Sequence, residues 1–188
     1  AVNAILGQVY LTLGATQPAG ATENLVKAEQ YLNASYQMRT FGRLKEIPYS
    51  QVFDVKEKMS CKELVFQIQY LQGDQNYSSS IARNYQAKGE SINSRFTSTG
   101  AGEVVKLDLI KDYEQNDIRK DFSVKFAPDA KVNDWFVTKF RDNSAEAGDD
   151  GWGGNDWILI RYADVMLLLA ETKYHLGKET EAIALLDQ

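Results

Sequence analysis

The 188-residue sequence contains one cysteine, Cys61, and one histidine, His175. A disulfide needs two cysteines, and a tetrahedral zinc site or a Cys/His nucleophile pair needs more ligands or a closer spacing than these two residues provide. We therefore expect both side chains to have packing roles, in the core or at the surface. No metal site and no cofactor are expected.

The sequence also lacks an excess of positive charge. It has 21 lysines and arginines against 26 aspartates and glutamates, a net charge of −5 and a pI near 5.0. A chain with this balance would have to bind phosphate backbones or anionic lipids against its own mean electrostatic field. Nucleic acid and anionic membrane surfaces are therefore not expected partners.

No run of apolar residues approaches the roughly 18 that a membrane-spanning helix needs, and no signal-peptide pattern follows Ala1. Hydrophobic residues make up 44% and charged residues 25% of the chain, which suits one well-buried core. The first residues already have helical spacing, and Ala182–Gln188 stop within a helical pattern. We therefore expect a piece of a longer protein, with any localisation signal outside it.

Two helices are predicted near the N-terminus from the helical spacing of apolar residues. The first covers Ala4–Leu13 with Gly14 as its C-terminal cap. Its core face is predicted to consist of Leu6, Val9, Tyr10 and Leu13. The second covers about Glu23–Met38, and small residues on its face permit close helix approach. That face is predicted to consist of Leu25, Ala28, Leu32 and Ser35.

A second pair of helices is predicted at the C-terminus. The first helix ends at Gly177 and has a core face made of Val165, Leu168, Leu169, Thr172 and Leu176. The second begins with Ala182, Leu185 and Leu186. Each pair has a helix, a glycine stop and an alanine-led helix, which resembles the tetratricopeptide pattern. Two copies are too few for an independent solenoid, so the pairs must pack against other parts of the protein.

The middle segment has a different periodicity. From Leu64 to Tyr70 apolar residues alternate with others at period two, which predicts a half-buried strand. Shorter strands are predicted over Val104–Leu107 and Trp135–Phe140. Two long polar loops, Gly73–Gly102 and Asp142–Asp156, separate them, and loops of this length in compact domains are commonly functional or disordered.

The expected architecture is mainly α, with tetratricopeptide-like helical hairpins, a loop-rich segment and few short strands. We expect a single domain in three consecutive parts, a helical hairpin in residues 1–38, the loop-rich segment in 39–157 and a second hairpin in 158–188.

Several charged residues are better explained by structure than by chemistry. Arg161 with Asp164, and Asp117 with Arg119, are expected to form ion pairs that fix helix ends. Carboxylates for glycoside hydrolysis need a rigid support, whereas the candidates lie in or beside a glycine-rich loop, at Asp149, Asp150 and Asp156. This loop also lacks the ligand alternation of an EF-hand, so a solvated turn is favoured over a calcium site.

Several motifs in order resemble the SusD/RagB family. The strongest is Ile160–Val165, which reads Ile-Arg-Tyr-Ala-Asp-Val and precedes an Ala-Glu pair, a Leu-Gly stop and an alanine-led helix. Upstream, Glu63–Tyr70 resembles the glutamate-led strand of the family and Asp117–Arg119 its Asp-x-Arg step. Val137–Phe140 resembles its lysine-bearing strand, and Ala4–Gly14 its earlier helix.

The resemblance implies a SusD-like fold and a non-enzymatic role. Family members are lipoproteins on the outer face of the bacterial outer membrane, where they bind oligosaccharides or other nutrients and cap a SusC-type TonB-dependent transporter. They are two to three times as long as this chain, and the lipid-anchored cysteine that holds them to the membrane is absent here. The expected partners are therefore an oligosaccharide and a SusC-like transporter.

Sugar binding needs flat aromatic faces beside groups that hydrogen-bond hydroxyls, and the two long loops offer both. The candidate residues in the first loop are Tyr77, Arg83, Asn84, Tyr85 and Phe96. The second loop offers Trp152 beside Asn155. The alternative for each aromatic is packing against its own domain, and that role is expected for Trp135 and Trp157.

Two other functions stay open from the sequence. A tetratricopeptide-like scaffold would bind a peptide or protein on its helical surface, although only two repeat units are visible. A glycoside hydrolase would release product from a polysaccharide, and it is disfavoured because its candidate carboxylates lack rigid support.

Overall fold

The computed structural model of the chain describes residues 1–87, 89, 104–127, 133–148 and 151–188. Their contacts divide the chain into two compact units. The helical unit contains residues 1–48, 61–67 and 158–188, so both predicted hairpins belong to it. The loop-rich unit contains residues 49–60 and 68–157. The predicted organisation as one domain in three consecutive parts stays a prediction.

The helical unit begins with a hairpin of α1 (Val2–Thr16) and α2 (Ala21–Gln37). The predicted core face of α2 is confirmed, because all four of its residues are buried, Leu25, Ala28, Leu32 and Ser35. The predicted core face of α1 is wrong. Val9 is 48% exposed, and the buried residues are Ala4, Gly7, Leu11 and Gly14.

Gly14 does not end α1 as predicted but lies within it, facing α2. A Cβ atom at Gly14 would lie 2.7 Å from Leu25 Cγ, and one at Gly7 would lie 2.7 Å from Leu32 Cδ2. The two glycines lie on the same face of α1 and let the helices approach closely. Leucine side chains of α2 fill the space that larger residues would occupy. The buried face of α1 therefore consists mainly of small residues, with Leu11 between the two glycines.

The C-terminal helices are α6 (Tyr162–His175) and α7 (Glu179–Leu186), and α6 packs against both α1 and α2. The predicted stop at Gly177 is confirmed, since its φ of 72° is in the left-handed region that glycine tolerates. One buried cluster joins all four helices with the strand before α6, β4 (Trp157–Arg161). Its members include Ala4, Leu32, Ile160, Val165, Leu169 and Leu185.

A charged cluster connects α2 to the α6–α7 hairpin. Lys173, 8% exposed, donates to Glu29 Oε1 at 2.8 Å, and Lys178 donates to Glu29 Oε2 at 2.7 Å. Burial alone would raise the pKa of Glu29, but hydrogen bonds from the two lysines lower it below its ordinary value. Lys173 also pairs with Glu181, so its buried charge has two acidic partners.

The strand before α6, β4 (Trp157–Arg161), pairs with β1 (Leu64–Ile68) in a two-stranded sheet. Strand β1 is shorter than predicted, and its most apolar face is largely exposed, with Phe66 40% and Ile68 49% exposed. The opposite face packs on the helices through Val65.

The predicted pairing of Arg161 with Asp164 is confirmed and has a third member, Glu63. Asp164 Oδ2 accepts the backbone N–H of Arg161 at 2.8 Å, which caps the start of α6. Arg161 Nη1 donates to Glu63 Oε1 at 3.2 Å, and Tyr162 N donates to the Glu63 carbonyl at 2.9 Å. Two of the sequence motifs, one on each strand, are therefore joined directly.

A pH-dependent stability is predicted for Glu63. Burial raises the pKa of its carboxyl above the ordinary 4.5, although the Arg161 guanidinium acts to lower it. The folded protein thus holds this proton to higher pH than the unfolded chain, and stability falls as pH rises through the folded-state pKa. Glu63→Gln removes this loss. Its stability relative to the parent should increase between about pH 4 and about pH 7 in urea unfolding curves.

The control for this prediction is Glu57→Gln. Hydrogen bonds from Ser60 and Gln51 lower the pKa of Glu57, so its contribution is present above the unfolded-state pKa and is lost as pH falls. The relative stability of the Glu57 variant should therefore decrease as pH rises toward 4.5 and stay constant above it, where that of the Glu63 variant still increases. Equal slopes for the two variants would contradict the assignment for Glu63.

The loop-rich unit consists of short elements. Its helices are α3 (Ile81–Asn84), α4 (Leu107–Asp112) and α5 (Ile118–Ser123), with 3-10 turns at Tyr49–Phe53 and Ala145–Ala147. Its sheet pairs β2 (Val124–Ala127) with β3 (Asp134–Val137) in antiparallel register, from Val124 opposite Val137 to Ala127 opposite Asp134. Phe136, 1% exposed, is a buried centre of this unit.

Two strand predictions in this unit need correction. Val104 forms only an isolated bridge to Phe136, and Leu107 begins α4, so Val104–Leu107 is not a strand. Strand β3 ends at Val137, whereas the prediction extended it to Phe140. The chain turns at Lys139 and Phe140, whose side chains join an aromatic cluster and do not continue the ladder.

Within the described residues, none of the helices combines the length and apolar character needed to cross a bilayer. Cys61 is buried, 6% exposed, and His175 lies at the surface of α6. In the same part of the chain no group of three or more histidine, cysteine or acidic side chains is arranged to hold a metal ion.

Candidate functional site

The structure brings together the two long loops that were predicted to bind sugar. Ser79 and Gly153 form an antiparallel bridge in which Ser79 N donates to the Gly153 carbonyl at 2.7 Å. Gly73 N donates to the Trp152 carbonyl at 2.8 Å. A cation–π contact joins them further, with the Arg83 guanidinium 4.7 Å from the centre of the Trp152 ring.

The predicted residues have different degrees of exposure. Tyr77 is 68% exposed and Asn84 is exposed, whereas Arg83, Tyr85 and Trp152 are half-buried. Asn155 is only 3% exposed, which removes it as a residue that a ligand can contact. Phe96 lies outside the described residues. The predicted residues that a ligand could reach, here called the loop platform, are therefore Tyr77, Arg83, Asn84, Tyr85 and Trp152.

Two aspartates hold the second loop in place. Asp142 Oδ2 accepts from Gln72 Nε2 and from Gly154 N, both at 2.8 Å. Asp156 Oδ1 accepts from Lys58 Nζ at 2.9 Å and from Tyr70 N at 2.8 Å. Asp156 was considered as a hydrolytic carboxylate, but its side chain is 2% exposed and ion-paired. The other candidates, Asp149 and Asp150, lie outside the described residues.

A similar structural role explains Asp117. Its carboxylate accepts Arg119 N at 2.9 Å and Arg119 Nε at 2.8 Å, which caps α5. The hydrogen bond from the Arg119 side chain lowers the pKa of Asp117. The predicted pairing of these two residues is confirmed.

A larger feature of the loop-rich unit is an open cleft of about 1010 Å³ between its first 3-10 turn, α5, the β2–β3 sheet and the turn after β3. Aromatic rings line it at Phe53, Phe122, Phe126 and Trp135. Polar lining residues include Thr138, Asn143 and Ser144. A cleft of this size suits a ligand of several sugar rings, with aromatic faces for C–H contacts and polar groups for hydroxyls.

The sheet positions two of these rings as a pair. Phe126 on β2 lies opposite Trp135 on β3, and their rings meet edge to face with centroids 5.6 Å apart. Because side chains alternate along a strand, buried Phe136 points to the opposite face from Trp135. Because Phe136 is buried in the core, the side chain of Trp135 lies on the side of the cleft.

Another wall of the cleft is an aromatic cluster around a lysine. The Lys139 ammonium lies 4.1 Å from the centre of the Phe53 ring and 5.3 Å from that of Tyr49. Phe122 and Phe140 pack around the same rings. Cation–π attraction holds the lysine without neutralising it, so the ammonium protons stay available as donors.

None of the six described candidate residues from the sequence lines this cleft. The predictions for two tryptophans also need correction, because Trp135 lines the cleft and Trp157 is 44% exposed. The prediction places tryptophans beside strands in the core, but a two-stranded sheet has one face covered and the other open. The signal that could have located the cleft is the adjacent pair Trp135 and Phe136, which must face opposite sides of a strand.

Comparison with known proteins gives one sequence match and several structural ones. The model of the SusD family matches residues 123–188. No curated protein sequence matches the chain. The structural matches include a SusD superfamily protein from Parabacteroides distasonis, with a TM-score of 0.72 and 16% identity. This match covers 97% of the chain and 42% of that protein.

Two further structures agree. A SusD superfamily protein from Bacteroides vulgatus has a TM-score of 0.70 and 22% identity, over 96% of this chain and 42% of that one. Surface glycan-binding protein A from Bacteroides thetaiotaomicron, in complex with laminarihexaose, has a TM-score of 0.60 and 15% identity, over 96% of this chain and 47% of that one. The chain thus spans less than half the length of these proteins.

The matches agree with the mainly helical architecture and with the predicted resemblance. The described chain has the SusD-like fold along nearly its whole length, and residues 123–188 carry the sequence pattern of the SusD family.

Proposed function

We propose that this chain is part of a cell-surface glycan-binding protein and that the cleft of the loop-rich unit contacts the glycan. The observation that carries the proposal is the Phe126–Trp135 pair in the wall of an open cleft of about 1010 Å³. Open clefts with aromatic walls bind sugars through several shallow contacts. Because little surface is buried, the expected dissociation constant is on the order of micromolar to millimolar.

The role is passive binding without catalysis. Two carboxylates of the second loop, Asp142 and Asp156, are both buried and accept hydrogen bonds from the fold. Neither is presented to a ligand as a general acid or nucleophile. A glycan would therefore be held and passed on unchanged.

The structural relatives support a position outside the cell. One of them is a surface glycan-binding protein in complex with laminarihexaose. By analogy, the complete protein would be lipid-anchored at the outer face of the outer membrane and would deliver glycan to a SusC-type TonB-dependent transporter. Pull-down of a SusC-like protein from membranes with the full-length protein would test the delivery role, and its absence from the bound fraction would count against it.

Replacing Trp135 by alanine should weaken glycan binding about tenfold, since the ring provides the main apolar face of the cleft. Binding is measured by affinity gel electrophoresis against a panel of soluble polysaccharides, laminarin among them. Tyr174→Ala is the matched control, because it removes a 62% exposed aromatic side chain from the helical unit. This control should leave mobility unchanged.

Two parallel variants separate the cleft from the loop platform. If Trp152→Ala or Tyr77→Ala abolishes retardation and Trp135→Ala does not, the platform and not the cleft is the binding site. If the parent protein binds no polysaccharide but binds peptides from a random library, the tetratricopeptide-like scaffold is the better account. Release of sugar products, seen by chromatography, would instead show a hydrolase.

A further inference from the structure

An open apolar groove of about 360 Å³ runs between α6 and α7. Each helix contributes four residues at the spacing i, i+3, i+4 and i+7, which places them on one helix face. The residues are Leu167, Ala170, Glu171 and Tyr174 on α6 and Glu179, Ala182, Ile183 and Leu186 on α7. The groove therefore follows the seam of two packed helices.

Small residues form the floor of this groove and large ones its walls. Ala170 and Ala182 are buried, because both take part in the contact between the helices. The walls are four apolar side chains that are each more than half exposed, Leu167, Tyr174, Ile183 and Leu186. Exposed apolar side chains gathered in one patch mark an interaction surface. A concave seam of this kind receives the side-chain ridge of another helix.

The opposite face of α6 is already covered by the first hairpin. Val165 and Leu169 are buried in the cluster that contains Ala4 of α1 and Leu32 of α2. In a stack of helical hairpins each unit contacts its neighbours, and the unit at the end of the stack needs a polar outer face. The apolar groove of α6–α7 therefore indicates that this hairpin has a further neighbour.

The structural relatives indicate where this neighbour comes from. This chain has their fold over nearly its whole length but spans less than half of theirs. More than half of each relative therefore lies outside the matched part. A complete protein of comparable length has enough additional chain to supply a helix that packs into the groove.

The charge of the groove indicates which kind of helix fits it. The charged residues that line it are both acidic, Glu171 and Glu179. The lysines of this hairpin, Lys173 and Lys178, are already paired with Glu29 of α2. A surface with this charge favours a partner whose apolar ridge is flanked by lysine or arginine.

We infer that this groove is the docking surface for a helix from the part of the complete protein that lies outside these 188 residues. The docked helix packs its apolar side chains over Ala170 and Ala182 and places basic side chains beside Glu171 and Glu179. The inference rests on the part of the proposed function that makes this chain a piece of a longer protein, and it does not depend on glycan binding.

The first test is hydroxyl-radical footprinting of the complete protein, purified alone and read by mass spectrometry at Tyr174. This ring is 62% exposed in the groove. A docked helix should reduce its labelling at least about tenfold below that of the urea-unfolded protein. Labelling within about twofold of the unfolded protein shows an open groove and overturns the inference.

The second test compares two neighbouring substitutions on α7 in the complete protein. A docked helix would bury the new carboxylate of Ile183→Asp, so this variant should lower the midpoint of thermal unfolding by at least about 5 °C. Ala184→Asp is the matched control, because Ala184 is exposed on the same helix but does not line the groove. Its midpoint should fall much less. Equal shifts overturn the inference, and if Ile183→Asp does not fold, the footprint of the parent protein decides.

The same preparations separate this occupant from two others. Protection of Tyr174 in a protein that sediments as a monomer supports the inference. A parent dimer that Ile183→Asp converts to a monomer shows a second copy in the groove and overturns it. Protection of Tyr174 that appears only after addition of a SusC-like transporter assigns the groove to that partner, and this result overturns the inference too. None of these outcomes decides whether the cleft binds glycan.

Discussion

Replacing Lys58 by methionine is expected to lower the free energy of unfolding by about 3 to 5 kcal/mol. Lys58 Nζ donates to Asp156 Oδ1 at 2.9 Å and to the carbonyl oxygens of Tyr70 at 2.7 Å and Gly154 at 2.9 Å. Methionine fills a similar volume but donates nothing. The buried Asp156 carboxylate would then lose its counter-charge, and both carbonyls would lose this donor.

The matched control is Lys27→Met. Lys27 Nζ donates to Glu23 Oε1 at 2.7 Å, but the two side chains are 41% and 73% exposed. Water solvates both partners of this surface pair, so the same substitution should change stability far less than Lys58→Met does. Urea unfolding followed by circular dichroism measures both variants. If Lys58→Met and Lys27→Met lower the free energy of unfolding equally, burial of the Lys58–Asp156 pair is not the cause of the loss.

A double variant tests the cause of the loss. In Lys58→Met with Asp156→Asn, the buried charge is gone while the amide oxygen can still accept from Tyr70 N. Part of the lost stability should therefore return. If the double variant has a lower free energy of unfolding than Lys58→Met alone, the cost of Lys58→Met does not arise from an uncompensated carboxylate.

Replacing Gly7 by valine is expected to lower the free energy of unfolding by about 3 kcal/mol. A Cβ at this position would lie 2.7 Å from Leu32 Cδ2 and 3.2 Å from Leu32 N, and Leu32 is fully buried. Neither the leucine nor the backbone of α2 has space to move. Helix propensity alone acts in the other direction, because valine is a better helix former than glycine by a few tenths of a kcal/mol.

The neighbouring position provides the control. Gln8 lies on the same helix and is exposed, so Gln8→Val should change stability by less than about 0.5 kcal/mol. The double variant Gly7→Val with Leu32→Ala should lose less stability than the sum of the two single variants, since the alanine makes room for the valine side chain. Additive losses in this double variant would show that Gly7 and Leu32 are not in the tight contact described.

The helical part of the fold was largely predictable because its signals are local. Leucine and alanine at helical spacing predicted the buried face of α2, and Gly177 predicted the end of α6. The same kind of reasoning failed for α1. Gly14 is a possible stop in sequence, but whether a glycine ends a helix or admits a neighbouring helix depends on what packs against it.

The functional site was much less predictable. The sequence drew attention to two aromatic-bearing loops, and the structure joins them at Ser79 and Gly153. It did not indicate the cleft, whose walls come from three separate stretches of the chain, residues 50–56, 121–126 and 135–144. The burial of Asn155 and the exposure of Trp157 could not be predicted from the sequence either. Neighbouring residues do not show which side chains of a loop or strand are covered by the rest of the fold.

The sequence by itself determined the positions of the two terminal helix pairs, the overall negative charge and the motifs by which this chain resembles the SusD/RagB family. Periodicity and composition are properties of neighbouring residues, so they can be read without coordinates. Only the tertiary structure decided that Glu63 pairs with Arg161, that Lys58 neutralises Asp156 and that Trp135 lines a cleft. These pairings join residues far apart in the chain, and packing of the whole fold sets their distances.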